Sequence, residues 1–145
     1  MTAYADTSFL ASLYGVDSNS AAAVRQVGTL PSNIIVTPFS ELELLTAFEA
    51  SMFRKLLGAA QAEASMQAFR VDLATGVMSK KPLPYCAFGR AILLSKLYTR
   101  TLGSRTLDIL QVAIALELDA EVFFTFDRDQ AKLARRAGLA VRPGR

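Results

Sequence analysis

Acidic side chains recur where short apolar runs give out. Asp6 follows Ala3-Tyr4-Ala5, Glu41 and Glu43 come soon after Ile34-Ile35-Val36, Asp108 opens an apolar stretch after Thr106, and Asp127 follows Val122-Phe123-Phe124-Thr125. If such runs are parallel strands, residues just beyond their carboxyl ends line the crevice in which ligands of open α/β sheets bind. Carboxylates gathered there repel one another unless cations neutralise them. Hard oxygen ligands suit Mg²⁺ or Mn²⁺, which hold substrate phosphates while keeping several waters. The chain has no histidine, which excludes a histidine general base, a Ser-His-Asp triad and histidine-ligated zinc. Each acid also has a purely structural role open to it. Asp6 before Thr7-Ser8 suits a helix cap, Asp108 sits where a helix dipole favours negative charge, and Asp127-Arg128-Asp129 suits a turn and cap. Their joint occurrence is what points to a site.

The elements that must position these acids come from 145 residues, 52% hydrophobic, with 16 Lys+Arg against 13 Asp+Glu for a formal charge of +3. That length suits one domain over residues 1–145 with a real core. The single cysteine, Cys86, has no intramolecular disulfide partner. The N-terminal residues lack a signal-peptide pattern and no apolar run reaches the roughly 18 residues of a membrane span, so a cytoplasmic location without membrane contact is expected. Apolar runs alternate with helical patterns, an α/β signature. Ala3-Tyr4-Ala5 is a short first strand, and a helix with hydroxyl caps begins at Thr7-Ser8. A second helix is expected near 19–28. Ile34-Ile35-Val36, bounded by Pro31-Ser32-Asn33 and Thr37-Pro38, is the second strand. Thr37 and Pro38 suit the N-cap and first position of a helix through Ala50. Further helices are expected over 54–75 and 83–102, separated by a short segment near Val77 and a turn at Lys80-Lys81-Pro82. Thr106 is expected to cap a helix over 107–118 with a buried stripe of Leu107, Leu110, Ile114 and Leu118. Residues 122–125 are the clearest strand, followed by a helix ending near Gly138 and a last strand at Ala140-Val141.

These motifs resemble, from end to end, those of the PIN-domain family of the VapC toxin type. Tyr4-Ala5-Asp6-Thr7-Ser8 is similar to the family's opening strand and Asp-(Ser/Thr)-(Ser/Asn) start. Residues 37–48 resemble a second motif in which an acid precedes Leu-x-Asn-Ala. That alignment selects Glu43, with Thr46 in place of the usual asparagine. Residues 104–113 match the third motif, with Asp108 as its acid, and residues 125–130 the fourth, with Asp127 in the family role and Asp129 as an additional contributor. A histidine often found ahead of the third motif is absent, and Tyr98 lies nearby. Glu41 and Glu43 are two apart on a helix and point roughly 200° away from each other, so only one faces the site. The helix is apolar almost all round, so the alignment decides for Glu43.

The resemblance implies a PIN-like three-layer α/β/α fold with a central, mainly parallel sheet of four or five short strands. It implies an endoribonuclease toxin in which Asp6, Glu43, Asp108 and Asp127 hold one or two Mg²⁺ or Mn²⁺ ions. The bound metal lowers the pKa of its water for attack on an RNA phosphodiester. Thr7 and Thr125 are expected to orient carboxylates or water, and Arg105, Arg128, Lys132, Arg135 and Arg136 to hold the RNA backbone. Partners implied are a cognate VapB-like antitoxin and a second copy in a homodimer. Apolar side chains such as Phe39, Phe48, Phe53 and Leu56 are expected mostly in the core. Two rivals are a PIN fold reduced to a binding module and a phosphoaspartate-type phosphohydrolase or receiver domain. The first is opposed by the intact acids, the second by Thr7-Ser8 where an Asp-x-Asp would stand.

Overall fold

In the computed structural model, which describes residues 1–30 and 33–144, five three-residue strands form one sheet. They are β1 (Ala3–Ala5), β2 (Ile34–Val36), β3 (Met78–Lys80), β4 (Val122–Phe124) and β5 (Ala140–Arg142). The sheet order is β3-β2-β1-β4-β5 and all four pairings are parallel. β1 is therefore central, with Ala3 beside both Ile34 and Val122. Chain order reverses at β1, the topological switch point, so the crevice opens beyond its carboxyl end.

Helices cover both faces. One face packs Ala3, Ala5, Ile34, Val36, Val122 and Phe124 against α1 (Thr7–Tyr14), α2 (Ser20–Gly28), α3 (Pro38–Phe53) and α4 (Ala59–Thr75). The other packs Tyr4, Ile35 and Phe123 against α5 (Ala87–Leu94), α7 (Thr106–Glu117) and α8 (Arg128–Arg136), with α6 (Arg100–Leu102) contributing Leu102. The three central strands are buried on both faces, which is why they read as continuous apolar runs. The architecture is the three-layer α/β/α fold that the family resemblance implied, with a sheet that is wholly parallel.

Several expected boundaries move. The helix expected over 54–75 starts only at Ala59, because Lys55 adopts a left-handed φ of 58° and Gly58 becomes the N-cap. The helix after β2 runs on to Phe53. The segment near Val77 is the edge strand β3, and Lys80 belongs to it instead of to a turn. The helix expected over 83–102 begins at Ala87 and passes through a π-helical stretch, Ser95–Thr99. Thr106 is the first residue of α7, not its cap; Arg105 takes the cap position without a side-chain bond. Leu107 is exposed, so the buried face of α7 runs through Ile109–Ala115 instead. Phe53 and Leu56, placed in the core from sequence, are exposed as well. Pro31 and Ser32, read as the break before β2, lie outside the described residues.

Candidate functional site

Asp6 is where β1 hands over to α1. Its N–H still donates to Phe124 at 3.0 Å, extending the sheet, while its side chain caps the helix. Oδ1 accepts from the Phe9 N–H at 3.0 Å and the Ser8 hydroxyl at 2.7 Å, and Oδ2 from the Thr125 hydroxyl at 2.6 Å. The residue is only 4% exposed. Burial pushes its pKa up to about 6 against these hydrogen bonds, which favour the charged form, and Asp127 raises it further.

The other acids arrive on three different elements. Asp127 caps α8, accepting on Oδ1 from the N–H groups of Asp129 at 2.8 Å and Gln130 at 3.0 Å, and its own N–H donates to Thr125 Oγ1. Thr125 thus bridges Asp6 to the Asp127 backbone. Asp108 lies in the first turn of α7, its pKa raised by burial, then by Asp127, with Arg105 opposing and Glu43 and Asp129 adding to the rise. Glu43 on α3 accepts on Oε1 from the Thr7 hydroxyl at 2.9 Å and from Gln111 Nε2. Glu41 turns the other way and pairs with Lys80 at 2.7 Å. The cap roles open to Asp6 and Asp127 are therefore real, and they coexist with membership of the acidic rim. One side-chain oxygen of each does the capping.

Asp108, Asp127 and Asp129 line a cavity of about 40 Å³ together with Gly103, Ser104, Arg105 and Gln130. Gln130 is 2% exposed, its Nε2 donates to the Asp108 carbonyl at 3.0 Å, and its Oε1 has no hydrogen-bond partner among the described residues. A buried acceptor without a donor costs roughly 1–3 kcal/mol. Beside several carboxylates it marks a place that a cation or its water would satisfy, and the volume is enough for a water. The donor set, oxygen throughout, fits a hard divalent cation. As placed, no three acidic, histidine or cysteine side chains among the described residues close into a ready cation-holding group. Asp127 and Asp129 are exposed and Asp108 is half-buried, so they are the members with room to turn.

The basic residues divide. Arg105 lines the acidic cavity. Arg128, Lys132 and Arg135, at i, i+4 and i+7 on one face of α8, line a neighbouring cleft of about 580 Å³ with Asn19, Phe126 and Pro143, and Asp127 and Thr125 sit at its junction with the acids. Arg136 lines neither; its carbonyl accepts from the Tyr98 hydroxyl at 3.0 Å.

Reading the sequence missed Gln111 and Gln130. Each is a polar residue three positions after a rim acid on an otherwise apolar helix face, the same face as Asp108 and Asp127 respectively. That spacing is the signal that would have found them.

The PIN domain family profile matches residues 3–136. No curated protein matches the sequence at a significant level. Among solved structures, VapC20 from Mycobacterium tuberculosis, described as a toxin cleaving the Sarcin-Ricin loop, is similar with a TM-score of 0.71 and 19% identity, over 95% of this chain and 96% of that one. VapBC2 from Rickettsia felis, bound to a DNA fragment from its promoter, gives a TM-score of 0.71 at 14% identity over 98% of both chains. FitAcB from Neisseria gonorrhoeae gives 0.65 at 15% identity, over 96% of this chain and 95% of that one. At these identities the likeness is one of fold.

Proposed function

The chain belongs to the PIN-domain family, and on that premise we propose that it is a Mg²⁺- or Mn²⁺-dependent endoribonuclease toxin of the VapC type. The observation that carries the reading is the acidic rim itself: Asp6, Glu43, Asp108 and Asp127 come from four segments to the carboxyl edge of the sheet, and Asp108 feels both Asp127 and Glu43. These four would hold one or two ions, with Asp129 in reach of the same cavity. A bound divalent ion would supply an activated water and charge stabilisation at phosphoryl oxygens, in a chain that has no histidine to act as general base.

The chain's own residues prepare the site for that. Thr7 and Thr125 hold Glu43 and Asp6 by hydroxyl donation, which orients both carboxylates and, at the buried Asp6, favours the charged form. Phe126, in the lining of the large cleft, offers a ring for an unpaired base, and Arg128, Lys132 and Arg135 offer cations for the RNA backbone that leads to the acids; Arg105 flanks them from the other side. An antitoxin partner is part of the proposal, since two of the similar structures are VapBC2 and FitAcB. So is a homodimer, for which exposed Phe53, Leu56 and Ile92 offer apolar surface. No helix among the described residues is long and apolar enough to cross a membrane.

The test is cleavage of structured and single-stranded RNA, with DNA as control, in Mg²⁺, Mn²⁺ and EDTA. Cleavage of RNA that needs the metal and is lost in both Asp6→Asn and Asp108→Asn is the expected result. Full metal-dependent cleavage by both variants would sink the assignment.

A further inference from the structure

Tyr4 and Gln111 carry polar groups into the layer between β1 and α7, where they are 0% and 1% exposed. Both are hydrogen-bonded, and the bonds form a chain. The Tyr4 hydroxyl donates to Gln111 Oε1, and Ser40 Oγ lies 3.4 Å from that hydroxyl. Gln111 Nε2 donates to Glu43 Oε1 and lies 3.4 Å from Thr7 Oγ1. The polarity of the chain is forced. The NH₂ end of Gln111 faces Glu43 and Thr7, so its carbonyl end faces Tyr4, which makes the phenol the donor. Burial holds the Tyr4 phenol well above its usual range, so its proton stays available to donate. Ser40 belongs to the capping box that starts α3, the helix carrying Glu43. The chain of bonds therefore ties β1, α3 and α7 together at one carboxylate.

Glu43 Oε1 takes both of its donors, Gln111 and Thr7, while Oε2 takes none among the described residues. A carboxylate held this way is pinned at one oxygen and open at the other. We propose that Gln111, its amide oriented by Tyr4, is a positioning residue that locks Glu43 Oε1 in place and leaves Oε2 for the acidic rim. The proposal rests on the cation-binding reading given above. Removing the amide unpins Glu43 without removing any acid. Groups that orient a metal-binding side chain in this way change metal affinity by about tenfold or more.

The experiment is a cycle read by Mn²⁺ affinity in the absence of RNA, on the full chain, using wild type, Gln111→Leu, Glu43→Ala and the double variant. Gln111→Leu is expected to weaken Mn²⁺ binding about tenfold alone and by less than about twofold when Glu43 is already alanine. An equal loss in both backgrounds, or none in either, overturns the proposal, because a merely structural role does not depend on Glu43. Tyr4→Phe deletes one hydroxyl and serves if Gln111→Leu does not fold; it should weaken binding about threefold with the same dependence on Glu43. A second arm needs no metal. The Gln111 side-chain NH₂ signals should be slow to exchange with solvent in wild type and fast in Glu43→Ala and Tyr4→Phe; fast exchange in wild type overturns the proposal. Absence of any Mn²⁺ binding by wild type would remove the cation reading, and the exchange arm then decides the locking of Glu43 by itself.

Discussion

Burying an ionisable carboxyl disfavours its charged form, and Asp6 shows the consequence for the whole molecule. Its pKa in the fold is about 6 against an ordinary 3.8. Between about pH 4 and 6 the folded chain keeps a proton that the unfolded chain has released, so stability falls as pH rises through that window and stays lower above it. Two units correspond to roughly 3 kcal/mol as an upper bound. Asn at this position keeps an acceptor for the Phe9 N–H and an NH₂ for Thr125, and it never ionises. Asp6→Asn should therefore raise stability in EDTA at pH 7.5 by roughly 1–3 kcal/mol, and the gain should vanish near pH 4; urea melts at the two pH values check this, and a gain equal at both would refute the buried-charge account. Millimolar Mg²⁺ should raise the melting temperature of wild type more than that of the variant, which lacks one carboxylate of the proposed cluster. Asp6 and Asp127 were legible as candidates because Asp6 directly follows β1 and Asp127 comes three residues after the end of β4. The choice of Glu43 over Glu41 was not legible from periodicity, since α3 carries apolar residues on nearly every side; the structure settles where each side chain goes through Thr7 and Gln111 on one side and Lys80 on the other.

Among the elements, α8 shows how one residue serves two physical ends. Asp127 caps the helix with Oδ1 and raises the pKa values of Asp6 and Asp108 by its charge. Asparagine keeps the cap and drops the charge, whereas alanine drops both. Asp127→Asn is thus expected to be neutral or stabilising in EDTA, and Asp127→Ala to be about 1 kcal/mol less stable than the asparagine variant. Equal stability of the two would mean that the cap contributes nothing. The stretch between α3 and α4 is where helix expectation failed, and the reason is local: Lys55 bends into the left-handed region, its N–H bonding to Met52 at 2.9 Å. A side chain is strained there by about 1 kcal/mol relative to glycine. Lys55→Gly should then stabilise the protein by roughly 0.5–1 kcal/mol in a denaturant melt. A loss of stability would show that the lysine side chain makes a compensating contact. Strand β3 escaped a clear reading because it is a short edge strand with a single buried residue, Met78, and so lacks the apolar run that marked β2 and β4.

For the molecule as a whole, a net charge of +3 is small, and its distribution matters more. Three cations share one cleft beside the acids, on α8. If RNA lies there, the logarithm of its affinity should fall with the logarithm of salt concentration with a slope of about −2, from roughly −0.7 for each phosphate contact on a single strand. Lys132→Ser should reduce that slope by about 0.7. Titrations of a labelled oligoribonucleotide in EDTA between low and moderate salt measure it; an unchanged slope in the variant would place the RNA elsewhere.

The α/β class, the strand ends and the acids beside them were readable from the chain, because each depends on residues adjacent in sequence: a β-branched run, then a cap, then a helical pattern. The convergence of those acids was not, nor were the two glutamines that attend them. Glu43 meets Gln111 across 68 positions, and Gln111 meets Tyr4 across 107. Such contacts depend on the strand order around β1 and on which side of each helix faces the sheet, and local propensity carries no term for either. Packing in three dimensions decided them, by bringing Tyr4, Gln111 and Glu43 within hydrogen-bonding reach of one another.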